Sequence, residues 1–121
     1  MRSIITILVP LLVLALGLSL SGCLLGPGEQ KVAKIDPVWS PDGTKLAFTS
    51  NESGKWCIYV LDLATNEIKR LTDDQSNAIA PAWSPDGTKI TFSSDRSGRW
   101  EIYLMEADGS RVQPLTGTEQ Q

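Results

Sequence analysis

Ser40-Pro41-Asp42-Gly43-Thr44-Lys45 returns unchanged as Ser84-Pro85-Asp86-Gly87-Thr88-Lys89. The residue order specifies a turn: serine accepts a backbone hydrogen bond at the first position, proline fixes φ at the second, aspartate caps locally and glycine closes. Each hexapeptide therefore ends one strand and starts the next. Ser40, Pro41, Asp42, Gly43, Ser84, Pro85, Asp86 and Gly87 are expected to be structural turn residues.

The likeness extends well beyond the turns. Residues 36–72 and 80–116 align without a gap at a spacing of 44, and 17 of the 37 aligned positions are identical. Outside the hexapeptides the matches include Pro37/Pro81, Trp39/Trp83, Phe48/Phe92, Gly54/Gly98, Trp56/Trp100, Ile58/Ile102, Tyr59/Tyr103, Leu71/Leu115 and Thr72/Thr116. An ungapped internal repeat of about 40–45 residues, built from short strands and turns, is the sequence signature of a β-propeller blade.

Each repeat divides into four strands. The first is short and holds a tryptophan (37–39; 81–83), and the second follows the hexapeptide (46–50; 90–94). A Ser-Gly turn leads to the third (56–61; 100–105), and the fourth covers 67–71 or 111–115. Asp108-Gly109 is a hairpin signal before the last of these, where the first repeat has Thr65-Asn66. The third strand is apolar or aromatic at nearly every position, as expected where neighbours cover both faces of a sheet.

At 121 residues the chain allows at most one small domain, and a net charge of −3 with no basic patch argues against nucleic acid as a partner. Histidine is absent, which removes the commonest general base and metal ligand together. No Gly-x-Ser-x-Gly elbow, phosphate loop, cysteine pair or metal-ligand cluster occurs, so the chain is expected to have no catalytic residues, no metal and no cofactor.

Met1 and Arg2 give a positive start, and residues 4–20 are almost wholly apolar, which reads as a signal h-region or a membrane anchor. Leu20-Ser21-Gly22-Cys23 closes that stretch and resembles the lipobox of bacterial lipoproteins. The resemblance implies cleavage before Cys23 and lipidation of its thiol, tethering the protein to a membrane outside the cytoplasm. Leu24 in the next position goes with outer-membrane sorting if the source is Gram-negative. The expected organisation is an apolar signal-peptide helix at 1–22, then the lipidated cysteine and tether at 23–35 and blades at 36–79 and 80–121.

The pattern Pro-x-Trp-Ser-Pro-Asp-Gly-Thr-Lys, then Phe-x-Ser, Ser-Gly, Ile-Tyr and Leu-Thr, resembles the WD-like propeller repeat of the TolB family over residues 36–116. The implied fold is all-β: two four-stranded antiparallel blades of a TolB-like propeller, incomplete in one chain. The implied role is a non-catalytic protein-interaction or scaffold module of the bacterial cell envelope. Similar blades occur in prolyl-oligopeptidase-type peptidases, so a truncated or split peptidase propeller is an alternative. Propellers close with about 4–8 blades, so self-assembly into a ligand-binding ring is another.

Single residues divide between structural and functional readings. Asp42 and Asp86 are expected to accept turn N–H groups rather than act as an acid/base pair. The four tryptophans are expected to pack between blades rather than form a sugar- or peptide-binding platform. Asp73-Asp74 lacks the ligand spacing of a calcium loop, and the Asn51 sequon is discounted in a bacterial lipoprotein. Cys57 stands where the second repeat has Glu101, which places it near the sheet rim, free or in an intermolecular disulfide.

Overall fold

Alternation of apolar β-formers with Pro-Asp-Gly and Ser-Gly turns forces short antiparallel strands, and a blade results each time four have been laid down. The computed structural model describes residues 31–117. β1 (Lys34–Trp39), β2 (Lys45–Ser50), β3 (Cys57–Asp62) and β4 (Glu67–Arg70) form one antiparallel sheet in that order, and β5 (Ala78–Trp83), β6 (Lys89–Ser94), β7 (Glu101–Glu106) and β8 (Gln113–Pro114) form a second. Both sheets lie in one compact unit, Val32–Gln121. The fold is all-β among the described residues; the expected signal helix, Cys23 and most of the expected tether fall outside them.

The register gives each sheet two unlike faces. Pairing of Leu46 with Leu61 and Phe48 with Tyr59 puts these four residues on one face of the first blade, here the front; Ala47 with Val60 and Thr49 with Ile58 make the back. In the second blade Ile90, Phe92, Tyr103 and Met105 form the front, and Thr91, Ser93, Ile102 and Leu104 the back. The core lies where the back of the first blade meets the front of the second: Ala47, Ile58 and Val60 pack with Ala78, Ile90, Phe92, Tyr103 and Met105, joined by Leu71 and Trp83. Phe92 and Tyr103 stack at 5.9 Å between centroids, and Phe48 and Tyr59 repeat the pair at 5.7 Å in a smaller cluster with Cys57 and Leu61.

β1, β5 and β8 differ most from the sequence expectation, β5 like β1 beginning three residues early. β1 begins three residues earlier, because a bulge between Ile35 and Val38 lets the chain rejoin β2; Asp36 turns the strand at φ 56, and Ala80 does the same at φ 57 in β5. β8 is shorter than 111–115, since Arg111 is held at φ 57 and Pro114 has no N–H to extend the ladder.

Candidate functional site

Both hexapeptides fold into nearly superimposable turns. Gly43 N–H donates to Ser40 O at 2.9 Å with Gly43 at φ 75, and Gly87 N–H to Ser84 O at 2.9 Å with φ 74, a conformation that glycine takes without strain. Asp42 Oδ1 accepts from Ser40 Oγ at 2.8 Å, Thr44 N at 3.0 Å and Thr44 Oγ1 at 2.8 Å. Asp86 Oδ1 accepts from Ser84 Oγ, Thr88 N and Thr88 Oγ1 at 2.7, 3.0 and 2.8 Å. Lys45 N–H and Lys89 N–H then return to the serine hydroxyls at 2.9 and 3.0 Å, starting the next strand.

Packing of one blade on the other brings these turns side by side. A groove of about 500 Å³ runs between them, lined by Ser40, Pro41, Asp42, Trp83, Asp86 and Ala107. Its two carboxylates are electrostatically quiet. The Thr44 N–H and the Ser40 hydroxyl hold Asp42 down at about 2, and the Ser84 hydroxyl and Thr88 N–H hold Asp86 down at about 2. Each is ionised at neutral pH with its donors supplied by its own turn. Neither is poised to exchange a proton with a substrate.

The tryptophans do not share one environment. Trp83 packs on the core and donates its indole N–H to Val38 O at 3.1 Å across the blades, and Trp56 is half-buried. Trp39 and Trp100 are 61% and 53% exposed. The expected inter-blade packing therefore holds for Trp83, whose side chain joins the core between the blades. Cys57 is not at the rim. It is fully buried, its thiol donating to Asp73 O at 3.4 Å and lying 3.3 Å from Ser53 Oγ. Enclosed in this way it cannot bridge to a second chain while folded. Glu101 reaches outward from the equivalent position to Thr116 Oγ1 at 2.6 Å and Arg99 Nε at 2.8 Å.

Three features escaped the sequence reading. Arg96 lies over the Phe92 and Tyr103 rings at 5.4 and 5.1 Å, where the first repeat has Glu52; a departure from the repeat at that position was the available signal. Asn77 N–H and Nδ2 donate to Asp95 at 2.8 and 3.1 Å, tying the start of β5 to the end of β6. Asn51, the sequon residue, is buried and accepts from Ala33 N–H at 2.7 Å, the corresponding tie in the first blade. Asp73 and Asp74 are engaged locally, with the Gln75 N–H at 3.1 Å and with Arg70 at 3.8 Å.

Comparison with known proteins places these blades. The Tol-Pal system protein TolB of Methylococcus capsulatus is 51% identical over 39 residues, which is 32% of this chain and 9% of that protein. The TolB homolog of Protochlamydia amoebophila is 46% identical over 41 residues, 34% of this chain and 9% of that one. Among solved structures, TolB from Acinetobacter baumannii superposes with a TM-score of 0.63 at 34% identity, covering 70% of this chain and 21% of its own. A TolB-type protein from Agrobacterium tumefaciens gives 0.64 at 31% identity, covering 73% and 31%. The chain thus spans a small part of the length of these relatives. Residues 27–121 match the TolB beta propeller domain, and the chain belongs to that family.

Proposed function

We propose that the chain is a cell-envelope lipoprotein whose TolB-like blades form a non-catalytic protein-interaction module, held at a membrane through Cys23. In this reading 1–22 is the signal peptide, 23–35 the lipidated cysteine and tether, and 36–79 and 80–121 the blades. Relatives that match about one blade's length of this chain include Tol-Pal system proteins, which supports an envelope role with a protein partner. Ser40, Pro41, Asp42 and Gly43, with Ser84, Pro85, Asp86 and Gly87, act as structural turns that present the groove between them.

The observation that carries the non-catalytic part is the state of Asp42 and Asp86. They are the two carboxylates lining the groove, and each accepts three hydrogen bonds inside its own turn. Such a groove recognises; it does not transfer protons. Loops held on rigid strands are where binding is commonly placed.

Labelling with radioactive palmitate in a bacterial host tests the anchor. The wild-type chain should take up label and sediment with membranes, while Cys23→Ala should be unlabelled. An unlabelled wild-type chain would remove the lipoprotein reading.

A further inference from the structure

Three pairs of identical residues at equivalent repeat positions differ sharply in exposure. Ile58, on the back of the first blade, is fully buried, whereas Ile102, on the back of the second, is 43% exposed. Leu71 is half-buried in the core and Leu115 is exposed. Trp83, on the front of the second blade, is packed and hydrogen-bonded; Trp39, on the front of the first, is open. In these three pairs the covered residue is the one that faces the other blade among the described residues. Phe48 and Tyr59 are buried like their mates Phe92 and Tyr103, so the open part of the first front lies around them, at Trp39, Ile35 and Ile68.

The polar half of the internal interface is built mainly on the bulged strand β5. Three bonds run from the second blade to the first: Trp83 Nε1 to Val38 O at 3.1 Å, Ala80 N to Thr49 Oγ1 at 3.3 Å and Ala78 N to Trp56 O at 2.7 Å; two run back, Trp56 N to Asn77 Oδ1 at 3.1 Å and Lys69 Nζ to Asp108 O at 3.3 Å. Shifted by one repeat, the donors of the first three become Trp39, Asp36 and Lys34 on the open front. Their acceptors become Ala82 O, the Ser93 hydroxyl and Trp100 O on the open back. Both bulges keep one register, with Asp36 and Ala80 in the same left-handed conformation. The open front also holds an apolar groove of about 230 Å³, lined by Ile35, Pro37, Leu46, Phe48, Leu61 and Ile68.

We propose that the occupant of the open front is a second copy of this chain, docked through the open back of its second blade in the geometry of the internal interface. The contact is heterologous, head to tail, because front and back are different surfaces. Trp39 donates to the neighbour's Ala82 carbonyl, Asp36 N–H to its Ser93 hydroxyl, and Ile102 enters the position that Ile58 occupies internally. A head-to-tail contact closes as a ring when its rotation permits. The proposal deepens the interaction-module reading and rests on it.

Full-length chains carrying Asp36→Cys and Ser93→Cys on different tags, co-expressed and oxidised with copper phenanthroline, test the contact. Thr49→Cys/Ala80→Cys within one chain is the matched control, and it should close an intramolecular disulfide. The mixed pair should give a cross-linked heterodimer, while neither variant should cross-link to itself. Adding Ile102→Asp to the Ser93→Cys chain should abolish the dimer. In a Thr49→Cys/Ala80→Cys chain the same Ile102→Asp change should leave the control disulfide, showing the blades intact. A closed control without an intermolecular product overturns the proposal, as does self-cross-linking of either single variant. Cross-linking of Asp36→Cys to a different protein overturns it too, as does a monomer mass for the wild-type chain by light scattering in mild detergent. None of these outcomes touches palmitate labelling at Cys23, so this proposal and the anchor reading fail separately.

Discussion

Ile58→Ala and Ile102→Ala make the same chemical change at the same repeat position, and the structure assigns them different costs. Ile58 is fully buried against the front of the second blade, so its truncation loses the transfer energy of about three carbons and leaves a cavity, for about 3 kcal/mol. Ile102 is 43% exposed, and its truncation opens no enclosed cavity; with about half the transfer energy at stake, the cost is about 1 kcal/mol. The difference of about 2 kcal/mol should separate the urea midpoints by about 1 M or more, read by tryptophan fluorescence at low protein concentration. In melting temperature it corresponds to roughly 8–16 °C for a domain of this size. Raising the protein concentration should increase the Ile102→Ala cost toward that of Ile58→Ala as a second copy covers the site. Equal costs in dilute solution would refute the assignment of the two faces, since the two isoleucines would then share one environment.

Other perturbations follow from the turns and the close approaches. Asp42 and Asp86 are held at about 2, below the ordinary carboxylate value of about 4; the stability they give is present above pH 4 and is lost as pH falls toward 2. Urea midpoints measured across that window should fall, and Asp42→Asn/Asp86→Asn should flatten the fall. Gly109→Ala should destabilise by roughly 1–3 kcal/mol, because φ is 92 and the new methyl would meet Leu71 O at 2.8 Å. Gly43→Ala, where nothing lies within 4 Å, should cost less in the same urea titration. Cys57 should resist a water-soluble thiol reagent in the native chain and react on unfolding; rapid native reaction would contradict its burial.

How much was legible in the sequence depends on whether the cause was local. Turn chemistry is local, so the hexapeptides announce their own strand boundaries, and the repeat spacing carries those boundaries to both blades. The bulges are not local in this sense. Asp36 and Ala80 adopt the left-handed region because β1 and β5 must rejoin their partners beyond Pro37 and Pro81, and neither residue type advertises it. Cys57 misled through its repeat mate: Glu101 finds Thr116 and Arg99 at the edge of the second blade, while the same backbone position in the first blade lies beneath Asp73. A shared register fixes the backbone position of a side chain, and the neighbours decide its solvent.

The same distinction explains why the open faces look as they do. A blade edge whose only requirement is solubility takes charged or polar residues. Yet the back of the second blade keeps Ile102 and Leu104, with Trp100 and Leu115 exposed nearby, where the first blade has Ile58, Val60, Trp56 and Leu71 at or near its contact. The front of the first blade keeps Leu46, Phe48, Tyr59 and Leu61 in the pattern of Ile90, Phe92, Tyr103 and Met105. Phe48 and Tyr59 are buried, and the exposed apolar residues around them, Ile35, Trp39 and Ile68, mark an interaction site. The bonds that Trp83, Ala80 and Ala78 donate to the first blade give the internal interface a direction, and a blade docking at either open side through the equivalent contacts must follow it.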